Sequence, residues 1–388
     1  MNKITVGDYH VTEKAKQLIA HTLNQNRLTY GPLSKQFEKR FAQMHDCQHA
    51  ILCSSGTDAL RIALRALKID RDWPEGARIA LPAVTFVATL NVIIDEGFKP
   101  LLIDIDPVHY HINPWLLEDT IKDYGDVVAV IPVHLFGQPV QYRAIKEIAQ
   151  FHNLAILEDS CECMLAKSGK VSVGSMGNMA AFSTYAAHLV TTGVGGIVTT
   201  NDPMLAALAR SLANHGRDGI YISIDDDKEF MSEVIKKRFS FRHRGFSSRI
   251  TELQAAVGLA QLDTLEQDIA QRQRNALAIS TELAELKQWL RVPTVRAENS
   301  HSFMMYPIVL RSGSDKWGLI NYLEENGIET REMLPLTNQP AYPWINEDEY
   351  PVAKTVNEQG FYIGCHQYIE AEDIKRIGEV FRGWGYGG

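Results

Sequence analysis

The segment VVAVIPVHLFGQPVQYRAIKEIAQFHNLAILEDS, residues 127–160, holds the unit from which the fold can be read. Val127 to Val133 is a short apolar run, Tyr142 to Phe151 carries apolar residues at helical spacing, and Leu154 to Leu157 is a second apolar run that ends on Glu158 and Asp159. Short apolar runs bounded by turn residues read as buried strands, and two such strands joined through a helix lie parallel. The alternation continues upstream. Apolar runs at Arg78 to Leu81 and Pro100 to Ile105 are interleaved with helical stretches at Val84 to Ile94 and Pro114 to Lys122. This predicts an α/β fold, a mainly parallel sheet with helices on both faces. Glu13 to Asn24 and Lys35 to Met44 read as amphipathic helices, and Thr57 to Leu67 as a helix after a Ser/Gly turn. Ala180 to Ser183 and Gly196 to Thr199 are candidates for further strands.

After Ser247 the character changes. Thr251 to Leu283 reads as one long helix, followed by a strand at Ser302 to Leu310, a helix at Lys316 to Asn326, a strand near Ile328 to Arg331 and a terminal helix at Ala371 to Phe381. That pattern is α+β, so the boundary is placed near residue 250, with a large domain over 1–250 and a smaller one over 251–388.

The chain has 388 residues, which suits two domains, and 47 acidic against 39 basic side chains give a formal net charge of −8. A broad basic face is therefore not expected, and neither is a nucleic-acid partner. A local arginine cluster can still receive an anion. The N-terminal residues lack the apolar stretch of a signal peptide, and the longest apolar run, Ala83 to Ile94, is too short and too polar for a bilayer. The expectation is a cytoplasmic protein with no membrane partner. Cysteines at 47, 53, 161, 163 and 365 form no CxxC pair, and their number is odd. They read as reduced thiols, with no metal site.

Three stretches can carry chemistry. Cys53-Ser54-Ser55-Gly56-Thr57-Asp58-Ala59-Leu60 lies between an apolar run and a helix. It is either an ordinary Ser/Thr helix cap or a cradle of backbone N–H groups for a phosphate. Asp159 ends a buried strand, the position beyond which open parallel sheets bind ligands, although a cap on the next helix is equally consistent. Phe182-Ser183-Thr184-Tyr185-Ala186-Ala187-His188 runs into Thr191-Thr192-Gly193-Val194-Gly195-Gly196, a loop that lets backbone approach a ligand closely. A lone histidine such as His188 is more often structural than chemical.

Taken together, these stretches resemble the sugar aminotransferase family of fold-type I pyridoxal-phosphate enzymes. The resemblance runs through Thr29-Tyr30-Gly31-Pro32, Ser54 to Leu60, Pro82-Ala83-Val84-Thr85-Phe86, Pro132-Val133-His134-Leu135-Phe136-Gly137, Glu158-Asp159, Phe182-Ser183, Gly193 to Gly196, Arg249 to Ala256 and Gln339-Pro340-Ala341. It implies an aspartate aminotransferase-like fold with a seven-stranded sheet, and pyridoxal 5′-phosphate or pyridoxamine 5′-phosphate as cofactor. By the same resemblance Asp159 keeps the pyridine nitrogen protonated and Phe86 stacks on the ring. Gly56, Thr57 and Ser183 hold the phosphate, Glu162 belongs to the cofactor site, and Arg249 stands near the substrate. Arg331, with Arg217 and Arg244, is a candidate partner for a substrate phosphate or carboxylate. A homodimer is implied, with glutamate and a keto-sugar or nucleotide-sugar as reaction partners.

At one position the chain departs from this pattern. The family's cofactor-binding lysine falls six residues after the Phe of Phe-Ser, and here that residue is His188. Imidazole forms no stable bond to the cofactor aldehyde. The substitution resembles the pyridoxamine-phosphate-dependent sugar 3-dehydratase branch, as do Glu158 to Glu162, Gly216-Arg217-Asp218 and Gly364-Cys365-His366-Gln367. No cysteine lies between 163 and 365, so the iron–sulfur cluster of the CDP-hexulose dehydratases is not expected. The type implied is the cluster-free GDP-4-keto-6-deoxymannose 3-dehydratase. The first expectation is thus 3-dehydration of a 4-keto-6-deoxy sugar, with His188, titrating near neutrality, as acid and base. The alternative is amination of a lipopolysaccharide or nucleotide sugar with His188 at the lysine position. A silent cofactor-binding homologue ranks third.

Overall fold

Two sets of apolar side chains, alternating along each strand, place the main sheet between two cores. In the computed structural model, which describes residues 3–218, 239–311 and 314–385, the apolar runs form β1 (His49–Cys53), β2 (Arg78–Pro82), β3 (Lys99–Ile103), β4 (Val127–Val130) and β5 (Ala155–Asp159). A small hairpin of β6 (Lys167–Ser168) and β7 (Val171–Ser172) follows, then β8 (Met179–Ser183) and β9 (Gly196–Thr200). The seven-stranded sheet has the order β1-β9-β8-β5-β4-β2-β3. Pairs within β8-β5-β4-β2-β3 are parallel, whereas β9 runs antiparallel to both β8 and β1. The exception has a simple cause: β8 and β9 are joined by the Gly-rich loop, without the crossover helix that a parallel return needs.

Ile79, Leu81, Leu102, Ala129 and Leu157 point into one core. Their strand neighbours Ala80, Leu101, Ile103, Val130 and Ile156 point into the other. The first core receives α3 (Gly56–Arg71), whose Ala59, Leu60, Ile62, Ala63 and Leu67 are fully enclosed. The second receives α5 (Pro114–Lys122) and α6 (Tyr142–Phe151), which have the bounds expected from sequence. Between α3 and α5 in the chain, α4 (Val87–Asp95) starts three residues later than its apolar pattern. Among the described residues, this part also holds the α-helices α1 (Glu13–Asn24), α2 (Pro32–Met44) and α7 (Pro203–Ala213).

The long helix expected over 251–283 is two helices, α8 (Glu252–Gln261) and α9 (Leu265–Glu282). Ala255, Ala256 and Leu259 belong to the large core, whereas Ala276, Ile279 and Leu283 belong to a separate one. The change of core therefore falls within α9, later than residue 250. That second core packs around a four-stranded antiparallel sheet, β10 (Leu290–Arg291), β11 (Tyr306–Leu310), β13 (Gly360–Ile363) and β12 (Thr330–Glu332), in that spatial order. α10 (Lys316–Glu325) and α12 (Ala371–Gly383) complete it, whereas α11 (Pro351–Gln359) turns Ala353 and Val356 to the large core.

Two of the motifs noted above meet at a buried carboxylate. Glu252, on the first turn of α8, accepts hydrogen bonds from the N–H groups of Gly31 (2.7 Å), Leu33 (3.0 Å) and Ser34 (3.0 Å), and from the Ser34 hydroxyl. It thereby caps α2, whose N-cap Gly31 has no side chain to do so. A Cβ at Gly31 would sit 2.8 Å from that carboxylate, so the position demands glycine. Glu252→Ala strands several buried donors and is expected to cost roughly 2–4 kcal/mol in urea unfolding. A loss below about 1 kcal/mol would mean that other groups or water satisfy those donors.

Candidate active site

Beyond the carboxyl ends of the parallel strands lies a cavity of about 650 Å³. At one side of it β1 turns into α3. Ser55 caps the helix, its hydroxyl accepting from the Asp58 N–H at 3.0 Å, so the first-turn N–H groups of Gly56 and Thr57 are left for an outside acceptor. A Cβ on Gly56 would meet Ser183 Cβ at 2.7 Å and Cys161 Sγ at 3.0 Å. Glycine there lets the helix end close on the end of β8, which brings Gly56, Thr57 and Ser183 to one wall of the cavity.

Glu158 and Asp159, adjacent on β5, point to opposite faces and do different work. Glu158 is fully buried and accepts from the N–H groups of Gly174, Met176 and Gly177, each at 2.8 Å, and meets His134 Nε2 at 3.1 Å. Its oxygens are engaged in holding the turn before β8. Asp159, also buried, accepts from the Thr89 hydroxyl at 2.7 Å and the Cys161 N–H at 3.2 Å. None of the ion pairs among the described residues involves Asp159, although it lines the cavity. A buried carboxylate without a cation nearby is costly, and a cationic ligand would relieve it. Glu162 lines the same wall and accepts from the Phe136 N–H at 2.8 Å. Burial, reinforced by the charge of Asp159, pushes its carboxyl up to about 7.

His188 follows the turn closed by its own N–H to the Tyr185 carbonyl at 2.9 Å. Both ring nitrogens are buried and have no hydrogen-bond partner among the described residues, and the residue lines the cavity. Burial, with the nearby Arg272 guanidinium, lowers its pKa to about 3. This corrects the expectation of an imidazole titrating near neutrality: enclosed by protein alone, His188 is a neutral base. No lysine is found among the described lining residues. Phe86, 59% exposed at the start of α4, presents its ring to the cavity, and Arg331 on β12 stands at the mouth. Arg331 donates to the Thr330 carbonyl at 2.7 Å and to Glu329.

Of the residues singled out from sequence, Gly56, Thr57, Phe86, Asp159, Glu162, Ser183, His188 and Arg331 thus surround one cavity. Arg249 does not line it. Its guanidinium bonds Asn214 and the Ser247 hydroxyl (3.0 Å). Sequence reasoning passed over Thr89, the hydroxyl on Asp159, and Thr85 one turn before it, 3.0 Å away. A Thr-x-x-x-Thr spacing opening a helix after an apolar strand was the available signal. Nothing local marked Met304, Met305, Tyr362 or the Val6-Gly7 segment, which reach the cavity from distant parts of the chain.

A mostly parallel sheet between helical layers, with an acid at a strand end and an anion cradle beside it, defines a fold-type I α/β enzyme of the aspartate aminotransferase kind. The chain belongs to the DegT/DnrJ/EryC1/StrS aminotransferase family, which it matches over residues 10–382. It is 33% identical over 350 residues to the GDP-perosamine synthase of Caulobacter vibrioides, covering 89% of this chain and 88% of that one. An aminotransferase from Psychrobacter cryohalolentis has the same fold, with a TM-score of 0.88 and 26% identity over 98% of both chains. GDP-4-keto-6-deoxy-D-mannose-3-dehydratase of Escherichia coli, solved with bound hydrated pyridoxal phosphate, superposes with a TM-score of 0.88 over 98% and 99% of the two chains. At 23% identity that likeness carries the fold alone.

The fold family implies pyridoxal phosphate, and the residues present fit it. Asp159 is a buried carboxylate lacking a cation, the Gly56–Thr57 helix end faces the cavity with N–H groups to give, and the His188 ring nitrogens are buried and unbonded there. The enclosed histidines also set the acid stability. Burial holds His45 and His366 at about 4, His188 and His301 at about 3, and His111 well below its usual value. Each stays neutral when folded but takes a proton near pH 6.5 when unfolded. Their stabilisation is therefore full above pH 6.5 and is lost as pH falls toward 3. Glu38 and Glu162, both raised by burial, act in the opposite sense. With the histidines in the majority, the urea midpoint is expected to fall steadily from pH 6.5 to pH 4.5. A midpoint constant over that interval would contradict neutral enclosed imidazoles.

Proposed function

We propose that this enzyme moves the amino group of glutamate, by way of pyridoxamine phosphate, to a keto-sugar carried on a nucleotide, with His188 performing the proton transfers for which its family uses a lysine. The observation carrying this is the cavity wall itself: an unpartnered imidazole and no lysine among its described residues. The cofactor, when bound, supplies the carried amine and a ring that absorbs the electron pair left by proton removal.

Gly56 and Thr57 N–H groups and the Ser183 hydroxyl would hold the phosphate, and Phe86 would cover the ring. Asp159, oriented by the Thr89 hydroxyl and the Cys161 N–H, would hold a proton on the pyridine nitrogen. His188, neutral at the outset, would take the proton from the donor's α-carbon and deliver it to the cofactor carbon that carries the transferred amine. Because imidazole does not bond to the cofactor, release of products depends on water. Glutamate and a homodimer are parts of the same reading.

The sequence reading put 3-dehydration first and amination second, and the relatives reverse that order. Amination is supported by GDP-perosamine synthases from two organisms, the second being that of Escherichia coli O157:H7. Dehydration stands as the second reading because of His188. With no lysine among the described lining residues, His188, once it had taken a proton, could return it to the C3 hydroxyl, which would leave as water. Mass spectrometry of products from 15N-glutamate and GDP-4-keto-6-deoxymannose distinguishes them. Labelled nitrogen retained on the sugar supports amination; a lost hydroxyl with labelled ammonia supports dehydration. An unaltered sugar across a panel of nucleotide-linked keto-sugars would refute both.

A further inference from the structure

The imidazole of His188 has no hydrogen bond to fix its direction, since neither ring nitrogen has a partner among the described residues. A histidine usually takes its orientation from a bond on the second nitrogen. Here the aim of the ring is left to the backbone turn that carries it and to what packs on that turn. The turn is closed by the His188 N–H on the Tyr185 carbonyl, and the Tyr185 ring stands edge-on to the imidazole with centroids 6.2 Å apart. A further contact comes from the start of the chain. A Cβ on Gly7 would meet the Cα and the carbonyl oxygen of Ala187, each at 3.2 Å. The Gly7 backbone is not left-handed, so glycine serves this close approach and not a turn.

The segment that delivers Gly7 is firmly seated. Ile4 lies in the second core and Val6 in the large one, so the chain crosses from one to the other within this segment. Ile4 pairs alongside Ile328, its N–H donating to the Gly327 carbonyl at 2.8 Å and its carbonyl accepting from the Glu329 N–H at 2.9 Å. The Val6 N–H donates to one oxygen of the Glu329 carboxylate at 3.0 Å, and the other oxygen receives Arg331. Thr5, Val6 and Gly7 line the cavity together with His188.

We propose that residues 4–7 form a strap that presses Gly7 on Ala187 and thereby fixes the aim of His188, with Gly7 and Glu329 as positioning residues. The proposal rests on the reading of His188 as the proton carrier.

Its test combines single-turnover reaction of the cofactor-loaded enzyme with glutamate and carbethoxylation of His188 in the cofactor-free protein, followed by mass spectrometry. Gly7→Val, whose branched side chain pushes the strap off the turn, should slow the half-reaction about 10–100-fold at saturating glutamate, with the half-saturating concentration within about threefold of wild type. His188 in that variant should be carbethoxylated about tenfold faster, because loosening exposes nitrogens that are now buried. Glu329→Ala, which frees the strap without adding bulk, should show both effects. Glu329→Gln, which keeps an acceptor for the Val6 N–H, should recover most of the rate. In a His188→Asn background Gly7→Val should change the rate less than about twofold, because the strap acts through the imidazole. Equal losses in both backgrounds, or an unchanged carbethoxylation rate, would overturn the strap while leaving the reading of His188 in place. If His188→Asn turns over as wild type does, that reading falls and the strap's role with it.

Discussion

Replacing His188 by asparagine should lower turnover of glutamate and keto-sugar by about 10²–10⁴-fold while leaving cofactor uptake intact, the span usual for loss of a positioned proton carrier. Asparagine is polar and of similar reach but neither takes nor gives a proton. The imidazole has no structural bond to lose, since both of its nitrogens are unpartnered. The fold should therefore hold, and the loss should appear in kcat. Its pKa of about 3 adds a second signature. In the glutamate half-reaction the base form is complete throughout the neutral range, so the rate should show no fall near pH 6.5 of the kind an ordinary histidine imposes. His188→Lys offers the converse test, because a lysine there can tether the cofactor so that it survives dialysis and is trapped by borohydride. His188→Asn turnover within about threefold of wild type would remove this residue from the chemistry.

Asp159→Asn should reduce turnover by about 10²–10³-fold, comparable to removing one fixed electrostatic contact from a reacting group. The change keeps the shape and one oxygen to accept from Thr89, removes the negative charge, and sets an amide N–H where an oxygen accepts from the Cys161 N–H. Loss of a buried charge without a cation offsets that lost contact, so the variant should be about as stable as wild type. Lost turnover with unchanged thermal stability is the combination to look for. Activity retained in Asp159→Asn would mean that nothing depends on a carboxylate at that strand end. Glu158 provides the contrast. With three backbone N–H groups and His134 on its oxygens, its replacement should act on stability first.

Periodicity and end signals alone were enough for α5, α6 and the strand–helix alternation, because these depend on which residues recur at helical or strand spacing. The acid at the end of β5 was legible for the same reason, since strand ends are where such sheets bind. The stretch of helix after 250 shows where that reading stops. Its apolar residues continue across the break at 262–264, and only packing against α1, α2 and the second core divides it.

What the order of residues determined by itself was the α/β framework, the motifs along it and the placement of an imidazole where the family has a lysine. What the tertiary structure decided was the convergence of β5, the α3 end, β12 and the Val6-Gly7 segment on one cavity, and the exclusion of Arg249 from its lining. It also made His188 a neutral base. Local preference acts over a few residues. Burial, charge environment and the meeting of segments hundreds of residues apart exist only once the chain has closed on itself.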